Sequence, residues 1–152
     1  MENQAVASAA TENQIEFKKA IYTGKVHITG GRSHGVARSS DGNLEVKLST
    51  PGTHGTGTNP EQLLAAGWSA CFESAMQSVA KAHKVRLPDE TAIDAEVDLV
   101  YTEGEYTLQA RLNVTVPGVE RETAQAIVDG ARKTCPYSKA LHASIATQYN
   151  LL

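Results

Sequence analysis

Two stretches in the second half of the chain alternate apolar and polar residues too regularly to be anything but paired strands. Thr91 to Thr102 carries Ile93, Ala95, Val97, Leu99 and Tyr101 at every second position, and Tyr106 to Val116 carries Leu108, Ala110, Leu112, Val114 and Val116 in the same way. Successive side chains of a strand point to opposite faces, so each run has one apolar and one polar face. The intervening Glu103-Gly104-Glu105 is short enough to join them as an antiparallel hairpin.

The rest of the chain supplies helices and a second group of strands. Asn59 fits an N-cap, Pro60 the first helical position, Glu61 the positive helix end and Gln62 the third position after the cap. From Glu61 to about Lys84 the sequence is rich in Ala, Leu, Gln and Met, with Gly67 as its only interior glycine. Small residues at Ala66, Gly67, Ala70, Ser74 and Ser78 form a stripe along which another backbone can approach closely. Glu120 to Thr134 has helical spacing, and Pro136 restarts the chain as a short helix with Cys135 at its cap. Upstream, Ala20 to Thr29 and Leu44 to Ser49 read as strands of a β-meander over residues 20–49, and Ser144 to Leu151 reads as a last strand. The order β, β, helix, β, β, helix, β predicts an α+β fold with an antiparallel sheet. Residues 1–14 hold two Glu and no basic residue, which predicts a disordered tail without a signal peptide. Residues 15–152 are then expected to form one domain.

Composition narrows the function. A net charge of −3, with no long run of Lys or Arg, argues against a nucleic-acid groove. The stretch from Gln62 to Ala80 contains Glu73, three Ser and two Gln, which argues against a membrane span. Two cysteines, Cys71 and Cys135, are too few for a disulfide framework and lack zinc-site spacing, so a reducing, cytoplasmic setting is expected. The five histidines show no ligand pair at metal spacing.

The cysteines can meet only through the tertiary fold, since they stand 64 positions apart. Small buried hydrophobes are the ordinary fate of such residues. Burial also raises a thiol's pKa, so a reactive Cys71 needs a cation nearby. Arg32, in the turn Gly30-Gly31-Arg32-Ser33-His34-Gly35, is a candidate, although exposed turn arginines are usually just solvated. Glu61 by itself reads as a carboxylate at a helix N-terminus.

Read together, longer strings carry more. Gly57 to Phe72 (GTNPEQLLAAGWSACF), Cys135-Pro136-Tyr137-Ser138, Tyr22-Thr23, Gly30-Gly31-Arg32 and Ser39-Ser40-Asp41-Gly42 resemble the organic hydroperoxide resistance branch of the Ohr/OsmC superfamily, from about Ala20 to the C-terminus. The resemblance implies antiparallel sheets wrapped around two central helices in an intertwined homodimer. It implies a thiol peroxidase for alkyl and fatty-acid hydroperoxides, with Cys71 as the peroxidatic and Cys135 as the resolving thiol. Arg32 and Glu61 match the ion pair by which that family holds the thiolate. No bound cofactor is implied; the reductant is a dihydrolipoyl group carried on other proteins. Trp68 and Leu64 stand where Tyr and Phe are common in the branch, and Lys139-Ala140-Leu141 is similar to the sister OsmC branch.

Distance limits how these residues combine. Ten positions separate Glu61 from Cys71, about 15 Å along a continuous helix. Three solutions are open: a helix broken near Gly67, a Glu61 that meets Cys71 across a subunit interface, or an Arg32 long enough to bridge the gap. Two other function classes also stand: a binding protein whose thiols only pack the core, and a hydrolase pairing Cys71 with a base such as His142.

Overall fold

The structure, a computed structural model, describes residues 16–152, so the tail expected over residues 1–14 lies outside the described residues. Its elements in chain order are β1 (Val26–Thr29), α1 (Gly31–His34), β2 (Val36–Ser39), β3 (Glu45–Lys47), α2 (Pro60–Ala82), β4 (Ala92–Thr102), β5 (Glu105–Thr115), α3 (Arg121–Thr134), α4 (Pro136–Leu141) and β6 (Ala146–Leu151).

The long hairpin forms as its alternation requires, with β4 and β5 antiparallel from Ala92 opposite Thr115 to Thr102 opposite Glu105. Glu103 and Gly104 close it with φ of 54° and 88°, the two left-handed residues of a tight turn that matches strand twist. Ala110, Leu112 and Val114 on the inner face are buried. On the outer face Arg111 donates to Asp98 at 2.8 and 3.1 Å and pairs with Glu96 directly across the ladder.

β6 joins this sheet alongside β5 in parallel, from Gln109 opposite Ala146 to Val114 opposite Leu151. Parallel pairing needs a crossover long enough to hold a helix, and α3 and α4 fill it. Helices α2 and α3 cover the inner face. Trp68, Phe72 and Met76 of α2 meet Ile127 and Val128 of α3 and Leu112 of β5, all fully buried.

The N-terminal strands form a separate antiparallel sheet in the order β1-β2-β3. The strand expected from Ala20 narrows to Val26–Thr29 because its partner β2 ends at Ser39, opposite Val26. Val36–Ser39 is a middle strand of the meander that pattern did not resolve. Between β1 and β2, Gly30 (φ 76°) and Gly31 (φ 62°) turn the chain into the single helical turn that carries Arg32. A side chain on Gly30 would sit 2.9 Å from the His34 carbonyl oxygen, in addition to the strain of its φ.

Candidate active site

The helix that carries Cys71 begins as its residues dictate. Asn59 Oδ1 accepts from the Gln62 backbone N–H at 2.9 Å, and Pro60 takes the first position, where its missing donor costs nothing. The Gln62 side chain does not reach back to the cap; its Oε1 accepts from the Thr58 hydroxyl at 2.8 Å and ties the preceding loop to the first turn. From there α2 runs through Gly67 without interruption to Ala82.

Cys135 sits where two helices meet. Its backbone, at φ −60° and ψ 122°, leaves the α3 conformation while its N–H still bonds to the Ala131 carbonyl, and Pro136 then opens α4. This junction places the fully buried Cys135 against α2, with its Sγ 3.3 Å from the Sγ of Cys71. Both are free thiols. An S–S bond is about 2.05 Å long, so side-chain rotation and a small local shift suffice to join them.

A third group at the thiols carries no side-chain signal in the sequence. The backbone N–H of Tyr137, in the first turn of α4, donates to Cys71 Sγ and favours its thiolate. The Tyr137 ring lies across Gly67, one helical turn before Cys71; a Cβ on Gly67 would come within 2.9 Å of the Tyr137 hydroxyl. Gly67 and Pro136 were the available hints, one to a close approach and the other to a new helix start. Burial pushes the Cys71 thiol above its ordinary value, the N–H of Tyr137 pulls it back, and Cys135 raises it again.

The other pair assembles at the opposite end of the same helical stretch. Arg32 Nη2 donates to Glu61 Oε1 in a salt bridge, with Glu61 mostly buried and Arg32 partly exposed. The second carboxylate oxygen of Glu61, Oε2, is buried and accepts from no group among the described residues. Arg32 and Glu61 open onto a cleft of about 480 Å³ walled by Ala65, Ala95, Val97 and Leu99. The fold thus joins Cys71 to Cys135 and Arg32 to Glu61 within one chain, while the unbroken helix holds the two pairs apart. Of the three solutions to the distance problem, the broken helix is ruled out, and the Arg32 guanidinium is held at the Glu61 end. His142, the base a hydrolase would need, is exposed at the C-terminal end of α4.

The family model for OsmC-like proteins matches residues 52–150. An organic hydroperoxide resistance protein of Xanthomonas axonopodis pv. citri is 45% identical over 132 residues, covering 84% of this chain and 92% of the relative. The chain belongs to the organic hydroperoxide resistance branch of the OsmC-like family. Among solved structures of that family, the organic hydroperoxide resistance protein OhrB of Bacillus subtilis superposes with a TM-score of 0.82 at 37% identity, covering 88% of this chain and all of the other. One from Elizabethkingia anophelis gives 0.79 at 36% identity, covering 88% and 98%. Both agree with the α+β architecture of sheets laid over two long helices, and no helix among the described residues is long and apolar enough to cross a membrane.

Proposed function

We propose that the chain is a thiol peroxidase that reduces organic hydroperoxides to alcohols. The observation that carries this reading is the 3.3 Å approach of the two free thiols. Membership of the organic hydroperoxide resistance branch supports it. The Cys71 thiolate attacks the distal peroxide oxygen; the O–O bond breaks, Cys71 becomes a sulfenic acid, and the leaving alkoxide takes a proton to become the alcohol. The Cys135 thiol then attacks the Cys71 sulfur, the S–O bond breaks, and water leaves as the disulfide forms. A dithiol of the lipoyl type, working in the cytoplasm, returns both thiols.

The Arg32–Glu61 pair enters this scheme from a second copy. Guanidinium keeps its charge and offers a planar fork, which suits it to hold a thiolate and a peroxide oxygen together. Midway between Glu61 and Cys71 lies Ala66, and the stripe it begins, Ala66, Ala70, Ser74 and Ser78, is exposed in one chain. A two-fold crossing of α2 with its copy at Ala66 brings Glu61 of one chain level with Cys71 of the other. The same homodimer gives β1 and its approach a surface to cover, since Phe17, Ile21, Tyr22, Val26 and Ile28 are all exposed. The apolar cleft wall of Ala95, Val97 and Leu99 suits an alkyl tail at about 0.8 kcal/mol per buried methylene, so two or three methylenes favour a bulky hydroperoxide over hydrogen peroxide by about tenfold or more.

The test counts free thiols after one equivalent of cumene hydroperoxide. Loss of two thiols per chain, restored by dihydrolipoamide faster than by thioredoxin, is expected; no loss refutes the peroxidase. Mixing Cys71→Ser with Arg32→Ala subunits tests the crossed site. Each variant alone is inactive, and the mixed dimer regains activity only where Arg32 serves the other copy's thiol.

A further inference from the structure

Trp68 and Tyr149 donate to a single acceptor. The indole Nε1 and the phenol hydroxyl lie 2.9 and 3.0 Å from Ser138 Oγ, which uses both acceptor positions of the serine hydroxyl. Ser138 is fully buried. The three residues come from α2, α4 and β6, so one hydroxyl ties three elements together. All of them border the thiols. Trp68 precedes Cys71 by three residues on α2, and Ser138 follows Cys135 by three on α4. The Tyr149 ring stacks on Phe72, the residue after Cys71, with centroids 5.3 Å apart. Burial raises the Tyr149 hydroxyl's pKa and so keeps its proton in place as a donor.

Helix α4 needs such a fastening. At six residues it is far too short to be stable by itself. It nevertheless carries the Tyr137 N–H that meets Cys71, and its cap is Cys135. Its fully buried residue is Ser138. We infer that Ser138, gripped by Trp68 and Tyr149, is a positioning residue for disulfide formation, fixing α4 on α2 so that Cys135 Sγ stays in contact with Cys71 Sγ. The inference rests on the proposed redox role of that pair.

The bond-forming step can be isolated from peroxide chemistry. With glutathione disulfide as oxidant, the Cys71 and Cys135 thiols give up two protons and two electrons to become the protein disulfide, and two glutathione thiols are released. Equilibrating the full chain in glutathione buffers gives the equilibrium constant for closing the pair. Ser138→Ala and Tyr149→Phe are each expected to lower that constant by about tenfold, the equivalent of one buried hydrogen bond. In single turnover with cumene hydroperoxide, the lifetime of a dimedone-trappable sulfenic acid should lengthen by about the same factor. The first step should slow by less than closure does, because neither hydroxyl bonds to the Cys71 sulfur and a looser α4 affects the thiolate only through the Tyr137 N–H.

Tyr149→Phe removes one oxygen and keeps the ring on Phe72, so it serves as the test if Ser138→Ala does not fold. A folded Tyr149→Phe protein with a wild-type closing constant overturns the inference. So does an equal slowing of both steps. Closure by glutathione disulfide in a wild-type protein that ignores hydroperoxide sinks the peroxidase reading alone.

Discussion

Gly130→Ala sets two opposing magnitudes against each other at the place where α2 and α3 touch. Gly130 lies inside α3, where exchanging glycine for alanine gains about 1 kcal/mol from helix propensity alone. The new Cβ, however, would lie 2.7 Å from Cγ1 and 3.1 Å from Cγ2 of Val79 on α2. Valine in a helix is strongly confined to one χ1 rotamer, so its two methyls cannot both swing away. Carbon atoms rest comfortably at about 3.5–4.0 Å, so the helices must part by about 1 Å. Overpacking of this kind costs about 1–3 kcal/mol. Subtracting the propensity gain leaves a net loss of between about zero and about 2 kcal/mol.

The parting also reaches the thiols, because Cys135 terminates α3 and its sulfur is only 3.3 Å from that of Cys71. Thermal unfolding followed by circular dichroism should show a melting temperature lower by up to about 8 °C for a loss of up to about 2 kcal/mol in a chain of this length. Glutathione-driven closure of the disulfide should weaken in parallel. Adding Val79→Ala removes the obstacle, and the double-mutant cycle should return a favourable coupling equal to the overpacking relieved, about 1–3 kcal/mol. A Gly130→Ala protein about 1 kcal/mol more stable than its parent would show that propensity alone decides, and would refute the tight contact.

Cys71→Ser should abolish hydroperoxide consumption, whereas Cys135→Ser should react once and stall as a trappable sulfenic acid; turnover by Cys71→Ser would contradict the assignment of roles. Arg32→Lys keeps the charge without the fork, and Glu61→Gln frees the fork, so both should slow reduction and raise the pH at which Cys71 alkylates; wild-type rates in both would remove the ion pair from the scheme. At the start of α3, the backbone N–H groups of Glu122 and Thr123 hold the Glu120 carboxyl below its usual range. A group whose folded pKa is depressed stabilises above its unfolded value and loses that effect as pH falls through the folded value. The melting-temperature gap between wild type and Glu120→Gln should therefore be full at neutral pH and shrink as pH falls through the depressed folded value; a gap independent of pH excludes the charge as its source.

Much of this arrangement was legible because short-range chemistry writes it into neighbouring residues. Asn59-Pro60 marked the helix start, and alternation from Thr91 to Val116 marked the hairpin almost to the residue. The strand Val36–Ser39 was not legible, since four residues with Arg38 and Ser39 among them give too little alternation to register. The parallel direction of β6 depends on how α3 and α4 cross the sheet, which no property of Ala146–Leu151 encodes. The pairing of Arg32 with Glu61 spans 29 positions and was suggested by family likeness alone. The Tyr137 N–H escaped notice for a simpler reason: every residue but proline has one, and only the fold decides which is aimed at a sulfur.

Trp68, described above as one arm of the grip on Ser138, is also the only tryptophan in the sequence. Its indole is fully buried and hydrogen-bonded, three residues from Cys71 along the helix. All tryptophan fluorescence of the protein therefore originates within one helical turn of Cys71, and none comes from elsewhere to dilute it. Oxidation of Cys71 by hydroperoxide, as proposed, should register as a change in the intrinsic emission of the unlabelled protein in a stopped-flow trace.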